Sequence, residues 1–188
     1  MNKIHDSWLK LSNKVSKDDI LLESFKEYYS RIKQLGSFSH IPDEVLEQWL
    51  YLHHHHNFSK INYGWINYEN VQFKTCELET EKLIELNTLD SHDSYKSLAS
   101  NTKIKDFCCS KTDKKFWKNN GTWKTPPVVI DVESFKPDIP AWTDIKGKFH
   151  LVEGYSRLGY LLAVKAMSEQ GEATIAATHN VFLMSRII

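Results

Sequence analysis

Apolar residues recur at helical spacing between Lys17 and Leu35, at Ile20, Leu21, Leu22, Phe25, Tyr28, Tyr29 and Ile32, and Gly36 closes the run. The spacing predicts an amphipathic helix over 17–35. Proline suits a first helical turn, so a second helix is expected from Pro42, with Val45, Leu46, Trp49, Leu50 and Leu52 as its apolar stripe and four histidines at its far end. From Tyr63 to Leu78 the pattern turns aromatic and β-branched, with Val71 and Phe73 alternating against Gln72 and Lys74, which predicts one or two strands. Residues 87–112 are polar and weakly periodic, a long loop with a short helix around Ser94–Ala99.

The clearest pattern is C-terminal. Two prolines precede Val128, Val129, Ile130 and Val132, a short buried strand, and Pro137, Asp138 and Pro140 make a connecting loop. Gly147 introduces a second strand at Phe149, Leu151 and Val152. It ends at Gly154 and gives way to Leu158, Leu161, Leu162, Val164 and Ala166 at helical spacing, with a last strand expected over 174–184. The whole reads as α/β in the α+β sense, a small mixed sheet flanked by helices. One domain is expected over 1–188, with a mainly helical extension at 1–62 and the mixed core at 63–188.

Composition sharpens the picture. An apolar share of 41% in 188 residues supports a real core. Basic and acidic side chains both number 24, so no global field draws the chain to a polyanion. Three cysteines without metal or redox spacing read as reduced thiols. The opening MNKIHDSWLKLSNKV lacks the apolar core of a signal peptide, and no segment approaches the roughly 18 apolar residues of a membrane span. A cytoplasmic protein without a membrane partner is expected.

Chemistry is densest in HLVEGYSRLGYLLAV. Gly154 lets the backbone turn sharply from strand to helix, and the helix start offers unpaired amides that attract anions. Arg157 falls in the first turn, where its guanidinium can meet the same phosphate, and Ser156 can add a hydroxyl. The alternative is a tight turn with an exposed arginine.

Strand, acidic residue, glycine, two variable residues, arginine and apolar helix together resemble the signature of the ParB and sulfiredoxin-like superfamily, over about 126–184. The resemblance implies that PPVVIDV and KFHLVEG are the paired strands. It also implies that Gly154 and Arg157 contact the phosphates of a nucleotide or nucleic acid, with Glu153 at the acidic position before the glycine. With Tyr155 and Ser156 between them this is the expected site; catalysis is left open, and phosphate-ester or nucleotide hydrolysis, with Mg²⁺ accompanying a nucleotide, is the natural class if the chain is an enzyme. Tyr155 stands where sulfiredoxins carry their reactive cysteine, so peroxiredoxin repair is not implied. No helix-turn-helix follows, so neither is chromosome partition.

Other clusters offer competing readings. His53 and His56 share a helical face but lack further donors for zinc, and a polar helix end is the simpler reading; no metal site is expected. Seven lysines between 101 and 124 interleave with Phe107, Phe116, Trp117 and Trp123, a pattern suited to single-stranded nucleic acid or to a basic face over a core. Glu77, Glu79, Glu81 and Glu85 lie in an acidic stretch that could dock a basic partner, as in a toxin-neutralising immunity or antitoxin protein. Asp131, Glu133, Asp138 and Asp144 are loop acids within reach of a metal if the loop folds over the turn.

Overall fold

The computed structural model describes residues 3–18 and 20–187. They form nine α-helical segments and a four-stranded mixed sheet. The chain opens with α1 (Asp6–Lys10) and α2 (Phe25–Gln34), then α3 (Asp43–Val45), which runs on as a π-helical stretch over Leu46–Tyr51, and α4 (Asn57–Tyr63). Next come β1 (Val71–Glu79), α5 (Thr80–Ile84), α6 (Asp93–Ser100) and α7 (Lys111–Asn120). The chain closes with β2 (Val128–Asp131), α8 (Val132–Phe135), β3 (Phe149–Glu153), α9 (Tyr155–Glu169) and β4 (Thr178–Arg186). Strand order across the sheet is β1-β4-β2-β3.

Two compact units divide the chain. The first gathers residues up to Phe73, Glu133–Ile145, and those from Met184 on; the second gathers Lys74–Val132 and Lys146–Leu183.

The first unit is held by aromatic residues. Trp8, Trp49, Tyr63 and Tyr68 are all buried, with Trp49 edge-on to Tyr63 at 5.5 Å and Trp8 5.5 Å from Tyr68. Val45, Leu46, Trp49 and Leu50 form the expected buried stripe after Pro42, whereas Leu52 is exposed. The helix expected from Lys17 begins only after Ser24, and Asp19 lies outside the described residues. Ser24 and Glu27 close a capping box, the serine hydroxyl taking the Glu27 amide and the Glu27 carboxylate taking the Ser24 amide. That local signal fixes the boundary more strongly than the apolar spacing of Ile20 and Leu22, which are 61% and 65% exposed.

In the second unit β2 and β3 pair antiparallel, Val129 opposite Leu151 and Val128 opposite Glu153, with an irregularity between Val128 and Val129. Val128, Val129, Ile130 and Leu151 are fully buried, as the unbroken apolar runs predict. Helix α9 lies against α6 so closely that a Cβ on Gly159 would come within 2.5 Å of Ala99 Cβ. The short helix expected around Ser94–Ala99 is therefore real, and the long polar stretch carries a core contact. Val132 and the start of the last strand differ from expectation: Val132 opens α8, and β4 begins at Thr178.

Candidate functional site

The strand-to-helix turn is built from the end of β3, the start of α9 and the segment Thr125–Pro127. Gly154 has φ 113°, outside the range that L side chains adopt readily, and a Cβ there would meet Pro127 Cβ at 2.6 Å. Glycine is required on both counts. As N-cap it brings no side chain to α9, so the first-turn amides of the fifteen-residue helix have no side-chain acceptor from that position.

Arg157 folds back over this glycine. The position of a Gly154 Cβ lies 3.1 Å from Arg157 Nε and 3.2 Å from Nη2. Nη1 donates to the Thr125 carbonyl at 3.3 Å, and Nη2 donates to Glu153 Oε1 at 3.3 Å. The two side chains are only 19% and 21% exposed. Burial pushes the Glu153 carboxyl up to about 7, although Arg157 and the Gly154 amide both favour its charged form. Burial likewise lowers the Arg157 pKa against the pull of Glu153. Both shifts have one meaning: the loss of hydration exceeds what the pair returns to each other.

The expected site residues thus separate. Glu153, Gly154 and Arg157 come together, and Ser156 lies exposed beside them in the first turn. Tyr155 contributes only backbone, because its ring is buried near His92 and its hydroxyl donates to the Leu151 carbonyl at 3.0 Å. Thr125 and Pro127 complete the turn; Thr125 carries no signal in the sequence and Pro127 only that of a strand start, and their place follows from the β2–β3 register, which sets Val128 beside Glu153.

The other clusters resolve in physical terms. Glu77, Glu79, Glu81 and Glu85 are exposed on β1, on α5 and on the residue that caps α5. Glu77 accepts from the Thr178 hydroxyl, Glu79 pairs with Lys82 at 3.3 Å, and Glu81 with Lys165 at 3.6 Å. β1 is an edge strand of the sheet, and charges there discourage edge-to-edge association. Among the aromatics of 101–124, Phe107, Trp117 and Trp123 are buried, with Phe107 stacked on Tyr160 at 4.0 Å, so these rings form core and are not open to bases. His54 is a core group as well, stacked on Trp8 at 4.1 Å with Nε2 2.7 Å from the Trp8 carbonyl. His53 and His56 face each other with Nδ1 atoms 3.4 Å apart, but across the turn that follows His53 and not on one helical face, because the helix ends there. The loop acids take other partners: Glu133 pairs with Lys136 and Asp138 with Arg186. Among the described residues no three His, Cys, Asp or Glu side chains gather as a metal cage, and no helix is long and apolar enough to cross a membrane.

No protein-family model matches the sequence, and no curated protein or solved structure is significantly similar to it.

Proposed function

We propose that this chain is a ParB/sulfiredoxin-like domain that binds a phosphate-bearing ligand, a nucleotide or a nucleic-acid backbone, at the turn from Glu153 to Arg157. The supporting observation is the guanidinium of Arg157 drawn over Gly154 at the mouth of α9. A helix mouth carries positive partial charge and free amides, and a guanidinium beside it adds directed donors to the same point. Arg157 uses Nη1 on a carbonyl and Nη2 on a carboxylate, both at 3.3 Å, which is long for charge-assisted bonds. A phosphate, with more charge and more acceptor atoms, satisfies the same donors better.

Glu153 competes with the ligand. Above about pH 7 its carboxylate occupies the guanidinium, and below that it takes a proton and yields the guanidinium to phosphate. Mg²⁺, where the ligand is a nucleotide, arrives as the counterion of the phosphates. Calorimetric titration with nucleoside triphosphates, with and without Mg²⁺, at pH 6.5 and 8 tests the reading. Binding by the wild type is expected, tighter at the lower pH, and weakened about ten-fold or more in Arg157→Ala. Absence of wild-type binding, or equal binding by Arg157→Ala, overturns it.

A further inference from the structure

The first unit contains a cleft of about 340 Å³, within the range of about 300–1,000 Å³ typical of small-ligand sites. Its walls come from stretches far apart in the chain, and none of them belongs to the turn at Gly154. Trp65, Phe135 and Trp142 supply aromatic surface. Trp65 is fixed by its indole N–H, which donates to the Asn62 carbonyl at 2.7 Å, and by edge-on packing against Phe135 at 5.9 Å.

Trp142 is 45% exposed. It stands at the tip of a turn closed by the Thr143 amide donating to the Pro140 carbonyl at 3.1 Å. The turn is anchored by the Asp144 amide donating to Asn62 Oδ1 at 2.8 Å. The loop thus presents a large flat ring to solvent from a braced position. Such a ring beside a cleft is a stacking platform, and its sequence neighbours do not use it as core.

The polar groups around the cleft are two cations, Lys3 and Arg186, one carboxylate, Asp138, and the polar side chains of His5, Asn67 and Asn70. Lys3 is exposed, and Arg186 lies across the site with its guanidinium paired to Asp138 through Nη1 alone. Asp138 opposes an anion, but Arg186 neutralises it, and Lys3 leaves the rim with a net positive charge. Asn67 Oδ1 is occupied by the Glu69 amide, so its Nδ2 remains a donor, and Asn70 offers a second amide. Stacking surface, side-chain amides and a cationic rim are the groups that recognise a planar heterocycle carrying a phosphate.

We propose that this cleft binds a nucleotide unit, free or at the end of a strand, its base stacked on Trp142 and its phosphate toward Lys3 and Arg186. The site is independent of the turn, and the experiment separates them. Adenosine monophosphate, the adenine hexaribonucleotide and methyl glucoside are titrated calorimetrically into the full chain carrying Arg157→Ala, which disables the turn. Adenosine monophosphate or the hexamer should bind one to one, and the tighter of the two identifies the source. Adding Trp142→Ala should weaken that binding about five- to 150-fold, the range that loss of one stacked base allows. Adding Trp142→Phe, which keeps a ring, should leave most of it. The proposal is overturned if neither nucleotide binds, if Trp142→Ala binds as well as its parent, if Trp142→Phe loses as much as Trp142→Ala, or if methyl glucoside binds more tightly than both.

Discussion

Glu153 and Arg157 sit four residues apart, one before and one after a glycine that no other residue can replace without strain. Their pairing is incomplete, since burial moves both away from their charged forms. The consequence for stability has a definite sign. In the folded chain the Glu153 carboxyl keeps its proton to about pH 7, whereas in the unfolded chain it loses it near 4.5. The native state therefore holds an extra proton in that window, and this contribution to stability is present below it and lost as pH rises through it. Comparing urea unfolding of the wild type with Glu153→Gln isolates the effect. The difference in unfolding free energy should shift against the wild type by up to about 3 kcal/mol between pH 4.5 and 7.5. A difference that stays flat with pH means that Glu153 is better solvated than its surroundings imply.

At the scale of elements, α9 is positioned by close approach as well as by apolar burial. Gly159 faces Ala99 and the Lys96 carbonyl, both 2.5 Å from where a Cβ would stand. Gly159→Ala should push α6 away and destabilise the protein by about 1–3 kcal/mol, read as a lower denaturation midpoint. An unchanged midpoint would show that α6 yields without cost. The elements around the turn were legible in the sequence because β2, β3 and α9 each carry unbroken or periodic apolar runs, and Gly154 and Arg157 stand at their junction. The partners of Arg157 were not legible: Thr125 reaches it only through strand register. The start of α2 misled the apolar count because Ile20 and Leu22 mimic a helical stripe while remaining in water. The lysines and aromatics of 101–124 could not be separated by pattern alone, since α7 turns Trp117 inward and its lysines outward. The cleft of the first unit left no local signal, its residues being gathered from distant stretches.

At the scale of the whole molecule, three buried histidines among the described residues oppose folding when protonated. Burial holds His54, His150 and His179 down to about 4. Between about 6.5 and 4 the unfolded chain takes up protons that the folded chain refuses, so stability is present above that window and lost as pH falls through it. Each group contributes up to about 3 kcal/mol, and acid unfolding should begin well above the range in which most carboxylates titrate. His150 gives the sharpest check. It is fully buried, and its Nε2 finds no hydrogen-bond partner among the described residues. His150→Leu, which removes only the long hydrogen bond that Nδ1 accepts from the Lys146 amide at 3.4 Å, should cost little at pH 7 and should shift the acid midpoint downward in a circular-dichroism titration; an unmoved midpoint would remove His150 from the account.

The first unit draws on residues up to Phe73, on Glu133–Ile145 and on those from Met184 on. No contiguous fragment contains it. On the ribosome, Trp8, Trp49 and Tyr68 are made early, yet Phe135 and Arg186 join them only after the intervening stretch has emerged. Long-range closure of this kind slows folding and lengthens the time that apolar surface stays uncovered. Nascent chains should accordingly lean on chaperones until Arg186 has emerged, and splitting this stretch for expression would leave each piece without the residues that close its aromatic core.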